Sequence, residues 1–259
     1  MIQDHTLDRL ITEHLVAQRV AKDEGRKPSG KLSAGMLGQP VQWQILKTIG
    51  VPQKEIDDYT LRKFLRGNHV EDWLLSLMPG IVERQKFAEY RGAIGYCDAL
   101  VDCSDWDSKK GLMPHEVKSV SNMKFKRIIQ ENTADHSHRL QACFYALAFE
   151  TEYYAIDYVS TDDYRLETYI YHVDTTISGV EYSINEYNAA LATGVVPVFE
   201  YVEKWQASEK YSNYPDFQKL TEPEIETKLQ DEYPMAWSKL QTLKEQEDAK
   251  CKRSVPEQE

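Results

Sequence analysis

The sequence lacks the features of a membrane-spanning or secreted protein. No run approaches the ~18–20 consecutive apolar residues that a membrane helix needs. The N-terminal segment is amphipathic and charged, without the apolar core or small-residue cleavage site of a signal peptide. Cysteine is scarce, with no CxxC pair and no zinc-binding spacing among Cys97, Cys103, Cys143 and Cys251. We therefore expect a cytoplasmic protein with free thiols and no membrane association.

Positive charge is also scarce. The 259 residues include 31 Lys and Arg against 42 Asp and Glu, which gives a formal net charge of −11. This balance excludes a protein that coats nucleic acid through bulk positive charge. It leaves room for a local basic groove on an acidic body. The length corresponds to one large domain, or to one domain with helical additions.

Hydrophobic periodicity predicts helices at both ends of the chain and strands in its centre. The predicted helices cover residues 1–22, Ser33 to about Ile49, 55–78, 136–149, Asp174 to Thr193, and one long stretch near 222–250. The predicted strands cover 81–90, 92–103, 112–120, 153–160 and 165–173, with hairpins between the second and third and between the last two. The order predicts an α/β core over residues 33–205, a helical arm over 1–32 and a helical tail over 206–259.

The most informative residues are two carboxylates and one ammonium in the predicted hairpin. Asp98 lies near the end of one predicted strand, and Glu116 and Lys118 share a face of the next. If the strands pair, the two carboxylates lie close together, repel each other and raise each other's pKa. A divalent cation bound between them would offset this repulsion. Mg²⁺ prefers oxygen ligands and needs only one or two carboxylates, and the carbonyl of Val117 is a further candidate ligand. Lys118 is then placed to position or deprotonate a water, or to offset transition-state charge.

Four short motifs occur in a fixed order around these residues. They read GNHVE at 67–71, GYCD at 95–98, HEVK at 115–118 and HRLQACFY at 138–145. The ordered set resembles the PD-(D/E)xK nuclease superfamily, and within it the RecB-like and lambda-exonuclease-like branch, near the CRISPR-associated exonucleases. The resemblance covers roughly residues 33–173. It implies a restriction-endonuclease-like core and a DNA nuclease that depends on Mg²⁺ or Mn²⁺, with exonuclease favoured over endonuclease.

The resemblance also assigns roles by position. Asp98 and Glu116 would bind the metal, and Lys118 would be the catalytic lysine. Gln141 and Tyr145 lie four residues apart on one helix face. They would hold Lys118, the attacking water or the DNA backbone.

Two departures from the family pattern affect the ligands. Glu71 stands where many RecB-like members carry a metal-binding histidine, so Glu71 would reach the metal from its helix, with His69 as the alternative ligand. The iron–sulfur members carry one cysteine near the start of the core and three more near the C-terminus. Here the stretch 33–43 holds none and the tail holds only Cys251. A cluster needs four thiolates, so we expect no iron–sulfur cluster.

Further residues are candidates for contact with DNA. Lys124, Lys126 and Arg127 follow the Glu116–Lys118 strand in a predicted loop that would clamp the phosphate backbone, although a solvated charge run has the same pattern. His138 opens the next helix and is a further candidate. Three aromatic residues can either stack on bases or serve in packing, namely Tyr96, Trp106 and Phe125.

DNA is the expected partner, and a homo-oligomer or a recombination or repair protein remains open as a second. The resemblance implies a protein of a bacterial or phage-infected cell, with phage recombination as one setting.

Two alternative interpretations give the chain another function. One is a catalytically inactive PD-(D/E)xK scaffold that binds nucleic acid or a partner protein. The other is a structural or interaction protein whose motif is accidental.

Overall fold

The structure of the chain is a computed structural model that describes residues 9–11, 13–17, 29–106 and 111–253. Residues 9–11 and 13–17 are helical, and the rest of the predicted helix over 1–22 lies outside the described residues. The longer α-helices are α1 (Val41–Ile49), α2 (Asp58–Leu77), α3 (Asn122–Glu131), α4 (His136–Phe149), α5 (Ile177–Thr193), α6 (Glu222–Glu232) and α7 (Pro234–Arg253). The strands are β1 (Ile81–Tyr90), β2 (Ala93–Asp102), β3 (Leu112–Val120), β4 (Tyr153–Ser160) and β5 (Leu166–His172).

The five strands form one mixed sheet in the order β1-β2-β3-β4-β5. All neighbours are antiparallel except β3 and β4, which run parallel and are joined through α3 and α4. Both predicted hairpins are present. The central mixed sheet with helices packed on it confirms the predicted α/β class.

The two faces of the sheet have separate apolar cores, and β2 contributes to both. Cys97 belongs to the larger core with Tyr145 of α4, whereas Ala99 belongs to the smaller core with Val70 of α2. Side chains two apart on a regular strand share a face, so β2 changes faces between these residues. Asp98 lies at this change, in the middle of β2 rather than near its end.

The predicted start of the first core helix is wrong. Ser33 makes no capping hydrogen bond, and a short 3₁₀ turn, Ala34–Met36, follows it. Gly38 then takes a left-handed conformation with φ 75°, which suits glycine, and α1 begins only after Pro40. The predicted end at Gly50 is confirmed, since its N–H bonds the carbonyls of Leu46 and Lys47.

The predicted long C-terminal helix is two helices. α6 ends at Glu232 and α7 begins at Pro234, because a proline has no N–H to donate and its ring clashes with the preceding turn. The helix predicted from Asp174 begins later, at Ile177. Apolar residues of α6 and α7, including Leu229 and Leu240, belong to the larger core. Among the described helices, none is long and apolar enough to cross a membrane.

Candidate active site

The strand pair β2–β3 brings Asp98 next to the Glu116–Lys118 segment. Regular pairing runs as far as Ala99 opposite His115. One residue further, Oδ2 of Asp98 accepts a hydrogen bond of 2.8 Å from the backbone N–H of Val117. The Asp98 side chain thus continues the contact between the strands after the regular pairing ends, and it lies beside Glu116.

Lys118 is held between a strand and a helix. Its Nζ atom donates to Oε1 of Glu116 at 2.6 Å and to Oε1 of Gln141 at 3.1 Å. The amide nitrogen of Gln141 in turn donates to Oε1 of Glu116 at 2.7 Å and lies 3.3 Å from the Tyr145 hydroxyl. The strand residues and the two helix residues predicted from separate motifs therefore form one hydrogen-bonded cluster.

Glu71 reaches the cluster through a residue that the sequence did not single out. The Gln85 side-chain amide donates to Oε1 of Glu71 at 2.9 Å and to Oδ1 of Asp98 at 3.3 Å. Gln85 lies in the middle of β1 with φ 47°, a left-handed conformation that is costly for a non-glycine residue and is typical of functional sites. Its only sequence signal is a polar residue within a strand. His69, two residues before Glu71, is exposed.

The two motif glycines lie at close approaches. A Cβ atom at Gly95 would be 2.7 Å from Cβ of Ala34 and 2.9 Å from Cε1 of Tyr145. A Cβ atom at Gly67 would lie 3.3 Å from Oγ of Ser119. These glycines allow α4 to approach β2 and α2 to approach β3, so both helices bring their polar residues to the cluster.

The carboxylates of the cluster are short of positive charge. Burial raises the pKa of Glu116 to about 8 against the opposing charge of Lys118, and burial and the charge of Asp98 raise the pKa of Glu71 to about 7. Burial also raises the pKa of Asp98. Burial opposes the charged form of Lys118, but Glu116 and Asp98 outweigh it and raise its pKa. The ammonium of Lys118 is therefore the positive charge that the carboxyl groups of Glu71, Asp98 and Glu116 share.

The donor set fits a divalent cation in its chemistry. Oε2 of Glu116 is buried and has no hydrogen-bond partner among the described residues. Among the same residues, no group of three carboxylates, imidazoles or thiols is arranged to hold a metal ion. Gln85 and Lys118 are hydrogen-bonded to the carboxylates in this arrangement. Mg²⁺ and similar ions need only one or two carboxylates and complete their shell with water. Asp98 and Glu116 meet that need.

The predicted loop with the basic residues is a helix, so that expectation is wrong. Ser121 caps α3 through its Oγ atom, which accepts from the N–H of Lys124. Lys124 and Arg127 both pair with Asp135, at 2.5 and 3.1 Å. These two residues line a cleft of about 960 Å³, whereas Lys126 is exposed outside its lining.

His138 lines the same cleft, one helical turn before Gln141. Its Nδ1 atom lies 2.8 Å from the Tyr158 hydroxyl, which itself accepts from the N–H of Asp135 at 3.0 Å. Burial, with the charges of Lys118 and Lys124, holds the pKa of His138 well below its usual range. The imidazole is neutral at pH 7.

The three aromatic residues that are candidates for stacking on bases differ in solvent exposure. Phe125 is buried in the larger core and serves in packing. Trp106 is half exposed, and its ring meets the buried ring of His115 edge-on. Tyr96 is exposed on β2, two residues before Asp98.

No protein-family model and no curated protein matches the sequence. Solved structures with a similar fold include an alkaline exonuclease, LHK-Exo, from Laribacter hongkongensis. It is 15% identical, covers 70% of this chain and 93% of its own, and has a TM-score of 0.49. LHK-Exo in complex with dAMP is 13% identical, with 63% and 89% coverage and a TM-score of 0.49. The protein SSO0001 is 16% identical, with 82% and 98% coverage and a TM-score of 0.47. At these identities and TM-scores the similarity does not assign a function to this chain.

Proposed function

We propose that this chain is a divalent-metal-dependent DNA nuclease of the PD-(D/E)xK type. One observation carries the proposal: Lys118 is bonded to both Glu116 and Gln141, at 2.6 and 3.1 Å, beside Asp98 on the paired strand. An accidental D…ExK pattern predicts an exposed charge pair on a strand. It does not predict a buried carboxylate whose lysine is shared with a glutamine from another element.

Asp98 and Glu116 would hold the cation, with Glu71 and the carbonyl of Val117 as further ligands. When bound, such an ion lowers the pKa of a water and neutralises charge on a phosphate. The partnerless Oε2 of Glu116 supports this assignment, because a buried carboxylate oxygen without a partner is costly unless something binds it.

Lys118 would act as a charged donor. An ammonium has three N–H groups, and two of them have acceptors in Glu116 and Gln141. The third is available to the attacking water or to a phosphate oxygen. Since the neighbouring acids raise its pKa, Lys118 keeps its proton at pH 7 and stabilises the negative charge that develops on the phosphate. Tyr145 helps to orient the Gln141 amide.

Exonuclease action is the favoured form of this activity, because the ordered motifs resemble the end-recognising branch of the superfamily. Magnesium and manganese are the expected ions. A recombination or repair setting in bacteria or phage agrees with the same resemblance.

The test is a nuclease assay with linear single- and double-stranded DNA, labelled at either end, and with a closed circle. Each substrate is incubated with Mg²⁺, Mn²⁺ or EDTA. Lys118→Ala is compared with Lys228→Ala, a matched control: the two side chains are 21% and 20% exposed, and both pair with a glutamate. We expect metal-dependent loss of linear DNA that Lys118→Ala abolishes and Lys228→Ala retains.

Other outcomes have defined meanings. Cutting of the circle would make the protein an endonuclease. A folded wild-type protein without activity in any metal would overturn the proposal and favour the inactive scaffold. Equal loss in both lysine variants would remove the evidence for a catalytic role of Lys118.

A further inference from the structure

Two aromatic side chains face solvent on the β1–β2 hairpin. Phe87 and Tyr96 are direct partners in the strand register, and their ring centroids lie 5.4 Å apart at an interplanar angle of 63°. Phe87 is 49% exposed and Tyr96 59% exposed. Each is held by a paired strand, so the two rings form a preset surface.

The pair contributes little to the protein's own core. The apolar packing of this part of the hairpin comes from Ala88 and Cys97, the next residue on each strand, which are buried on the opposite face. Exposed apolar residues that stand singly are ordinary, whereas exposed aromatic residues that touch each other are more typical of a binding surface. Phe87 and Tyr96 touch each other and stand open to a ligand.

The hairpin also ties the pair to the carboxylate cluster. Tyr96 is two residues before Asp98 on β2, and Phe87 is two residues after Gln85 on β1, a distance of about 6–7 Å along each strand. Gln85 and Asp98 are hydrogen-bonded to each other. Both strands therefore carry one aromatic residue and, two residues away along the chain, one residue of the cluster.

We propose that Phe87 and Tyr96 are a stacking platform for an unpaired nucleobase next to the phosphate that the cluster holds. This inference rests on the proposed function, which places a nucleotide at Asp98, and it names the substrate form as a single strand or a frayed duplex end. Stacking on aromatic rings accepts every base, because every base has a π-face. A duplex whose bases remain stacked inside the helix offers no such face.

The experiment measures binding separately from hydrolysis. Fluorescence anisotropy in Mg²⁺ uses the Lys118→Ala protein, in which we expect no hydrolysis, and two labelled single strands of equal length, an oligodeoxythymidine and an abasic strand with the same phosphates. The platform variants are Tyr96→Ala, Tyr96→Phe and Phe87→Ala. Tyr182→Ala is the matched control, a tyrosine on α5 that is 66% exposed.

We expect Tyr96→Ala and Phe87→Ala to raise the Kd for oligodeoxythymidine about tenfold, and to leave the Kd for the abasic strand unchanged. Tyr96→Phe keeps the ring and should restore binding, and Tyr182→Ala should bind as the parent does. If Tyr96→Ala fails to fold, Phe87→Ala answers the same question.

Three results would overturn the inference. One is an unchanged Kd for oligodeoxythymidine in both alanine variants. Another is an equal rise in Kd for oligodeoxythymidine and for the abasic strand, because the aromatic pair then does not contact the bases. If wild-type protein hydrolyses linear DNA in these cases, the platform fails while the nuclease assignment stands. The third is a wild-type protein that neither binds nor cuts DNA, in which case both proposals fail.

Discussion

The Nδ1 atom of His115 lies 2.7 Å from Oδ2 of Asp157, and both side chains are buried. Thr168 donates to the other Asp157 oxygen at 2.6 Å. This network links β3, β4 and β5 on the face of the sheet opposite Glu116, because His115 directly precedes it in the strand. The network thus supports the strand that carries the catalytic candidates.

Removing one partner of the His115–Asp157 pair should destabilise the fold more than the loss of the pair itself would suggest, because it leaves the other polar group buried without a partner. We expect Asp157→Ala to lower the free energy of unfolding by about 3–5 kcal/mol, because the imidazole loses its buried partner. The double variant His115→Leu with Asp157→Ala should be less destabilised than the sum of the two single variants. Urea unfolding of all four proteins measures this coupling, and strict additivity would contradict it.

A divalent ion should stabilise the folded chain through Asp98 and Glu116. At a hundredfold excess over Kd, binding to the folded state alone adds about 2.7 kcal/mol, which corresponds to a rise of about 5 °C or more in Tm. Thermal melts with Mn²⁺ or Mg²⁺ against EDTA measure the shift. Asp98→Asn and Glu116→Gln should abolish it, and Glu181→Gln, a carboxylate paired with Arg91 elsewhere, should keep it. A shift that survives in Asp98→Asn would place the ion at another site.

The strands and the motif geometry followed from the sequence because both depend on local pattern. The Pro79-Gly80 turn ends α2 before β1 begins, and i,i+4 spacing puts Gln141 and Tyr145 on one helix face. Pairing of two neighbouring strands then brings Asp98 to Val117. Each step needs only short-range rules, so the contacts among these residues are those that the motifs suggested.

The misses arise where the role of a side chain depends on a tertiary contact that no motif signals. The apolar residues of α3, including Phe125 and Ile128, are separated by charges that make the segment resemble a solvated loop. The Lys124 and Arg127 side chains project towards Asp135, a carboxylate at the start of the next helix. Gln85 is uninformative in the sequence, because its role depends on a bend in β1 and on two acids from other elements.

Asp135 should restrain DNA binding by neutralising two cations of the cleft. In Asp135→Asn, Lys124 and Arg127 lose their shared carboxylate and become available to phosphates. We expect tighter DNA binding and a steeper salt dependence, with the slope of log K against log salt larger by about one. Binding titrations at several salt concentrations measure both. Asp163→Asn is the matched control, since that residue pairs with Arg165 at 2.7 Å and lies outside the cleft lining. Equal effects of the two variants would mean that only net charge matters.

His138 should make the fold sensitive to acid. Its pKa is lowered in the folded state, so the unfolded chain binds a proton more readily below its ordinary pKa of about 6.5. The stability contributed by the neutral imidazole is complete above that pH and decreases as the pH falls below it. His138→Gln should therefore lose less Tm between pH 7 and pH 5 than wild type. Thermal melts between pH 7 and pH 5 measure this difference. An equal decrease in Tm in the two proteins would contradict the prediction.

Gly95→Ala should damage the site through Tyr145. The added methyl would lie 2.7 Å from Cβ of Ala34 and 2.9 Å from Cε1 of Tyr145, both well inside normal contact. Neither neighbour has free space in the core, so we expect a loss of about 1–3 kcal/mol in the free energy of unfolding. A displaced Tyr145 also releases the Gln141 amide, which lies 3.3 Å from its hydroxyl, so kcat should fall as well. Gly35→Ala is the matched control, because nothing lies within 4 Å of its added methyl. Wild-type stability and kcat in Gly95→Ala would show that α4 can move away from β2 without disturbing Lys118.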